Sequence, residues 1–316
     1  MVSVTDRKAW RPDLLVWGFV GTFTAKHLIA GLAALMAVGL LSGCTTTATP
    51  QQRTAKASQI ALQAGWQSQV LVTDSYALMS WGPKPTKMID ILTVYIEGDG
   101  YAWVGGRYPS EDPTPIDPVA LRLAVAQPNG NAAYLARPCQ FLLELNGSKC
   151  RLSVWTRDRF SAPVVNAMNQ GLDQIKHTYG ARALVLVGYS GGARIALELA
   201  AERHDIVQVV TVAGNLDPQA WIEAFGMLPL TSGMDNDALI SATKHLPQVH
   251  LVGDNDVVVP MELANQFVGL YLTQERSQAR QEVKVLAGYG HVCCWAQQWP
   301  ELWHQRSASV DTDAAN

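Results

Sequence analysis

Leu184-Val185-Leu186-Val187-Gly188-Tyr189-Ser190-Gly191-Gly192-Ala193-Arg194-Ile195-Ala196-Leu197 is the stretch that decides the fold. Its first four residues are an unbroken apolar run of strand length, which reads as a strand buried on both faces, the condition of a parallel sheet covered by helices. Its last five read as helix. Between them lies Gly188-Tyr189-Ser190-Gly191-Gly192, in the pattern Gly-x-Ser-x-Gly. A serine there sits on a sharp strand-to-helix turn, and small neighbours let strand and helix approach. Its hydroxyl then projects above the carboxyl edge of the sheet, where open α/β folds bind their ligands. The helix behind it offers unpaired N–H groups and the positive end of a dipole. The competing reading is a glycine-rich turn that binds an anion or only shapes the chain.

Outward from this stretch the chain alternates strand and helix signals from about Ser58. Val70 to Thr73 and Leu78 to Trp81 read as an antiparallel start, and Gly82-Pro83-Lys84-Pro85 breaks the chain. Ile89 to Ile96 reads as a buried strand ending at Glu97-Gly98-Asp99-Gly100. Asp117-Pro118 reads as the start of a helix, with Asp117 as cap. Ala132 to Ala136 and Leu152 to Trp155 read as further strands. Ser161 opens a helix in which Val164, Val165, Met168, Leu172 and Ile175 recur at helical spacing. Ile206 to Val212, Val249 to Val252 and Val283 to Leu286 supply the remaining strands. The expected architecture is α/β: a mostly parallel central sheet, helices on both faces, and no large lid domain.

Two more strand ends carry chemistry. Gly253-Asp254-Asn255-Asp256-Val257-Val258-Val259-Pro260 closes one predicted strand, and Gly288-Tyr289-Gly290-His291 follows the last. A serine hydroxyl needs a base that titrates near neutral pH, and the base needs a carboxylate to hold its tautomer. Ser190, Asp256 and His291 supply the three parts. Asp254, two residues away, and Asp217, after an earlier strand, are the competing acids.

With its glycine-serine turn, its Gly-x-x-Asp-x-x-Val-Pro loop and its Gly-His turn in that order, the chain resembles the α/β-hydrolase fold family over roughly residues 71–303. The resemblance implies the order nucleophile, acid, base. It also implies two backbone N–H donors for an oxyanion, assigned to Gly191 and Asp99. The family often has a His-Gly pair in that second loop; here Glu97-Gly98-Asp99-Gly100 stands instead. Carboxylates oppose a developing oxyanion, so the side chains of Glu97 and Asp99 are expected to turn away. Trp103 is a candidate for lining an acyl pocket. Arg157-Asp158-Arg159 follows a predicted strand and is a candidate for substrate contact, with a solvated loop as the favoured reading.

The chain has 316 residues, 48% hydrophobic and 16% charged, enough for one large core. A net charge of -3 and the absence of a basic stripe argue against a nucleic-acid partner. Seven scattered histidines offer no metal-ligand spacing, and neither metal nor organic cofactor is expected. Near the start, Lys26-His27 precede an apolar run from Leu28 to Leu41. At about 14 residues it suits a signal peptide better than a membrane span. It ends in Leu41-Ser42-Gly43-Cys44, which resembles the lipobox of bacterial lipoproteins and implies lipidation of Cys44. Four cysteines remain: Cys139, Cys150, Cys293 and Cys294. An even count in an exported chain suggests disulfides. A local Cys139–Cys150 bridge is the first choice, with cross-pairing to the adjacent Cys293 and Cys294 left open.

The expected organisation is therefore a leader and signal peptide over 1–44, a flexible tether over 45–57, a hydrolase domain over 58–306 and a disordered tail over 307–316. The expected function is serine-dependent cleavage of a small-molecule or lipid-like ester. The expected location is the periplasmic side of the cell envelope, at the outer membrane, through the lipid anchor. A thioesterase or peptidase would leave the same marks, and a non-catalytic envelope lipoprotein is the competing class.

Overall fold

The computed structural model describes residues 47–129, 131–231, 233–273 and 279–305. The chain divides into units 1–47 and 48–316, and the second unit carries the whole sheet. The expected leader and lipobox, and the tail over 307–316, lie outside the described residues. No helix among the described residues is long and apolar enough to cross a membrane.

Strands β1 (Trp66–Val72), β2 (Ala77–Pro83), β3 (Ile91–Ile96), β6 (Ala132–Leu135), β7 (Ala183–Tyr189), β8 (Ile206–Val212), β9 (Gln248–Gly253) and β10 (Gln281–Leu286) form one sheet. Its spatial order is β1-β2-β6-β3-β7-β8-β9-β10. The β1–β2 and β2–β6 pairs are antiparallel, and every pair from β6 to β10 is parallel. A separate hairpin pairs β4 (Trp103–Val104) with β5 (Tyr108–Pro109).

The two-residue period of a strand sorts the core into two layers. Along β7, Leu184 and Leu186 enter one apolar cluster, while Val185 and Val187 enter the other. On the first side lie α5 (Ala162–Tyr179), α6 (Gly191–Glu202), α8 (Asn236–Thr243) and α9 (Met261–Thr273). On the second lie α1 (Pro50–Gln63), α2 (Val119–Ala126) and α10 (Trp295–Gln305). Helix α10 buries Trp295, Trp299, Leu302 and Trp303 at helical spacing. The Trp299 indole donates to the Tyr95 hydroxyl at 2.8 Å, which ties this last helix to the middle of the sheet. Between β8 and β9 the described chain holds only α7 (Pro218–Ala224) and α8, so no large lid is present.

Three local expectations differ from the structure. The stretch expected as a tether is helical from Pro50: Thr49 forms a reciprocal capping box with Gln52. Ala57 and Ala61 of α1 are buried, and Arg53 donates to the carbonyls of Asp112 and Thr114. Leu152–Trp155 is a helical turn, α4, rather than a strand, because Thr156 closes it through its hydroxyl on the Leu152 carbonyl. Asp117 does not cap α2. Pro118 occupies that position without a side-chain hydrogen bond, and the Asp117 carboxylate pairs instead with Lys56 and Arg122. The Asn146-Gly147 segment is a short helix, α3 (Leu143–Asn146), running into a 3-10 turn. Across it Cys139 and Cys150 are bridged, with Cα atoms 5.7 Å apart. Cys293 and Cys294 are bridged to each other rather than to the other pair.

Candidate active site

The loops that carry the candidate residues leave the carboxyl ends of β3, β7, β9 and β10, close neighbours in the sheet. Ser190 follows β7 with φ +51° and ψ −123°, outside the usual range for a side-chain-bearing residue. Three backbone hydrogen bonds over-determine that conformation. The Ser190 N–H donates to the Val212 carbonyl at 3.0 Å, and its carbonyl accepts from Ala193 and Asn215, each at 3.0 Å. The flanking glycines are required by approach: a Cβ at 188 would strike the Ala193 backbone, and one at 192 the carbonyls of Ile96 and Glu97.

The three predicted residues meet. His291 Nε2 lies 3.0 Å from Ser190 Oγ, and His291 Nδ1 lies 2.8 Å from Asp256 Oδ2. The other Asp256 oxygen accepts the N–H groups of Val258 and Val259, both at 2.9 Å. The Asp256 side chain is fully buried, whereas that of His291 is 16% exposed and so opens toward the cavity. The His291 backbone is pinned as well: its carbonyl accepts from the Tyr189 hydroxyl at 3.0 Å and the Trp295 indole at 3.1 Å. The competing acids have other work. Asp254 accepts from the Gly288 N–H at 2.7 Å, and Asp217 caps α7 through the N–H groups of Gln219 and Ala220.

Ser190 and His291 open into a cavity of about 430 Å³, whose walls include Trp103, Ile116, Arg159, Trp221 and Val258. A cleft of about 560 Å³ lies at the opposite, amino edge of the sheet, lined by Thr93, Asn131 and Gln208. Among the described residues no group of three or more His, Cys, Asp and Glu side chains could hold a metal.

The N–H groups of Gly191, first residue of α6, and of Asp99 donate to no other group among the described residues. The two acids of the β3 loop behave differently. Glu97 is buried and accepts from the Gly98 and Ala120 N–H groups and the Tyr134 hydroxyl. Asp99 does not turn away as expected. Its carboxylate lies against the Gly191 Cα, where any Cβ would collide with it. Two buried arginines hold it there: Arg137 Nη1 at 3.3 Å and Arg159 Nε at 3.0 Å. Arg159 is 2% exposed, so the solvated-loop reading of 157–159 holds for Arg157 alone. Burial pulls the Arg137 guanidinium below its ordinary range, and Asp99 works against that shift. Sequence reasoning missed Arg137, and for Arg159 it favoured a solvated loop over substrate contact. The available signal was Arg137 directly after a buried strand, at the same carboxyl edge as the serine.

Burial raises the Glu97 carboxyl to about 7, with its hydrogen bonds pulling the other way. Its proton is therefore held more tightly in the folded chain than in the unfolded one. That contribution to stability is present in full below the unfolded value, 4.5, and is lost as pH rises through about 7. The span is worth about 3 kcal/mol. Relative to wild type, Glu97→Gln should gain about that much stability between pH 4 and pH 8. Urea midpoints at the two pH values check it, and equal shifts at both would remove the argument.

Set beside solved structures, the chain shares its fold with α/β hydrolases. A protein of unknown function from Agrobacterium tumefaciens, assigned to that class, matches with TM-score 0.51 and 16% identity over 78% of this chain and 95% of its own. A Klebsiella pneumoniae protein assigned as a dienelactone hydrolase matches with TM-score 0.50 and 16% identity, over 77% of this chain and 96% of its own. An Acinetobacter baumannii protein assigned as a lipase matches with TM-score 0.50 and 14% identity, over 86% and 100%. No family model matches the sequence, and neither does any curated protein. The fold is that of the α/β hydrolases: a mostly parallel eight-stranded sheet with helices on both faces.

Proposed function

We propose that the chain is a serine hydrolase that transfers the acyl group of a carboxylic ester to water, with Ser190 as nucleophile, His291 as general base and Asp256 as the acid that orients it. The observation that carries this reading is the continuous hydrogen-bonded chain from Ser190 Oγ through both His291 nitrogens to a buried carboxylate. Ser190 attacks the ester carbonyl while His291 Nε2 takes its proton. Asp256, fixed by two backbone donors, keeps the other proton on Nδ1 and stabilises the imidazolium. The N–H groups of Gly191 and Asp99 receive the developing oxyanion. His291 then gives its proton to the departing alcohol, and a water activated by the same imidazole cleaves the acyl-enzyme. The small insertion between β8 and β9 favours an open carboxylesterase site over a lidded one.

A fluorophosphonate probe tests the reading. Wild type is expected to be labelled covalently at Ser190, and Ser190→Ala to remain unlabelled while folded. A folded, unlabelled wild type would instead favour a binding protein.

The location forms part of the same proposal: Cys44 carries the lipid that anchors the chain to the periplasmic side of the envelope. Several acyl chains are needed for stable attachment. Incorporation of a clickable fatty acid, abolished in Cys44→Ser, is the expected result; incorporation that survives the substitution would remove the anchor.

A further inference from the structure

Behind the nucleophile, three buried arginines face two carboxylates: Arg137, Arg159 and Arg194 against Asp99 and Glu198. Arg194 is engaged at all three of its nitrogens. It binds Glu198 through Nε at 2.7 Å, the Leu216 carbonyl and the Asn236 side chain accept from Nη1, and the Met234 carbonyl accepts from Nη2. Arg137 and Arg159 are left to share Asp99. Asp99 therefore meets two guanidinium groups with one carboxylate, in a place where a poorly matched ion is costly.

Arg137 spends its terminal N–H groups on Asp99 and on the Arg159 carbonyl. Arg159 is the one that reaches the cavity wall shared with Ser190 and His291. Its Nη1 donates to the Thr156 carbonyl at 3.0 Å, and its Nε faces Asp99 without hydrogen-bond geometry. Its Nη2 has no partner among the described residues. The rings of Phe160 and Trp221, 5.4 and 5.5 Å away, hold the guanidinium plane. Other acids on the wall are matched: Asp117 by Lys56 and Arg122, and Glu97 by three hydrogen-bond donors.

We propose that Arg159 recognises an anion, and that the site takes esters carrying a carboxylate or phosphate besides the bond to be cleaved. The inference rests on the hydrolase reading and names its substrate class. A planar guanidinium meets such groups through directed N–H donors, which a point charge does not offer. An anion on the substrate would give Arg159 Nη2 a partner that Asp99, shared with Arg137, does not supply, so a charged ester is favoured over a neutral one of equal size.

The test reads a ratio, kcat/KM for an anionic ester over that for its neutral counterpart, in which general damage to the enzyme cancels. One arm compares mono-p-nitrophenyl adipate with p-nitrophenyl hexanoate. A second compares 1-hexanoylglycerol 3-phosphate with 1-hexanoylglycerol. Wild type should give a ratio of about ten or more in at least one arm, carried by KM, and that arm identifies carboxylate or phosphate. Arg159→Gln should bring the ratio to about one, and Arg159→Lys should keep part of it. Ratios near one in both arms of wild type overturn the inference and leave the hydrolase standing. A ratio unmoved by Arg159→Gln overturns it too. If Arg159→Gln does not fold, the wild-type ratio still decides. No turnover in any arm, with no fluorophosphonate labelling, removes the hydrolase reading itself and this inference with it.

Discussion

Replacing His291 by alanine is expected to lower ester turnover by about a million-fold. The imidazole is the only base at hydrogen-bonding distance from Ser190 Oγ among the described residues, at 3.0 Å, and without it the hydroxyl keeps its proton. Tyr189, whose ring centroid stands 5.4 Å from that of His291, offers a phenol held far above neutral pKa by burial, so it cannot replace the base. Ser190→Ala should cost about as much, and the double variant no more than either single one, because the groups act as a unit. Steady-state rates on a p-nitrophenyl ester check this. Near-normal turnover in His291→Ala, or losses that multiply in the double variant, would mean that the chemistry runs elsewhere.

Asp256→Asn should lower kcat by about ten-thousand-fold with the fold intact. The two backbone donors, Val258 and Val259, select which atom of the new amide faces them. They take its oxygen and leave the NH2 group against His291 Nδ1. The imidazole must then accept at Nδ1 and carry its proton on Nε2, pointing at the serine: the wrong tautomer for a base. Asp254→Asn is the control. Its carboxylate only receives the Gly288 N–H, so a loss below about tenfold is expected. If Asp254→Asn proved the more damaging, the acid would have been assigned to the wrong side of Asn255.

The central strand, the serine turn and the order of the three candidate residues were legible because each rests on local rules. An apolar run of four, a glycine on either side of a serine, and an acid or histidine just past a strand all leave a mark in the sequence. Elements whose identity depends on distant partners were not legible. Helix α1 has a weakly apolar sequence, and what seats it is Arg53 beneath the Asp112–Thr114 loop, a contact across about 60 residues. Helix α10 carries Pro300 in its interior, which argues against a helix, yet its indoles and Leu302 dominate. In α4, Val154 and Trp155 favour a strand locally, and a threonine hydroxyl decides otherwise. The arginines beside Asp99 belong to the same group: charged residues read as solvated until a buried carboxylate claims them.

The Cys139–Cys150 bridge has a practical corollary for producing the protein. It staples the segment that begins with Arg137 and ends with Arg159, the two groups that grip Asp99 beside Gly191. In a reducing host cytosol the staple would stay open, and the segment would lose about 2–4 kcal/mol of support. Recombinant material made there could carry an intact serine and histidine and still present a slack cavity wall. Secretion to an oxidising compartment, or refolding with a glutathione couple, is the route that delivers the wall along with the nucleophile.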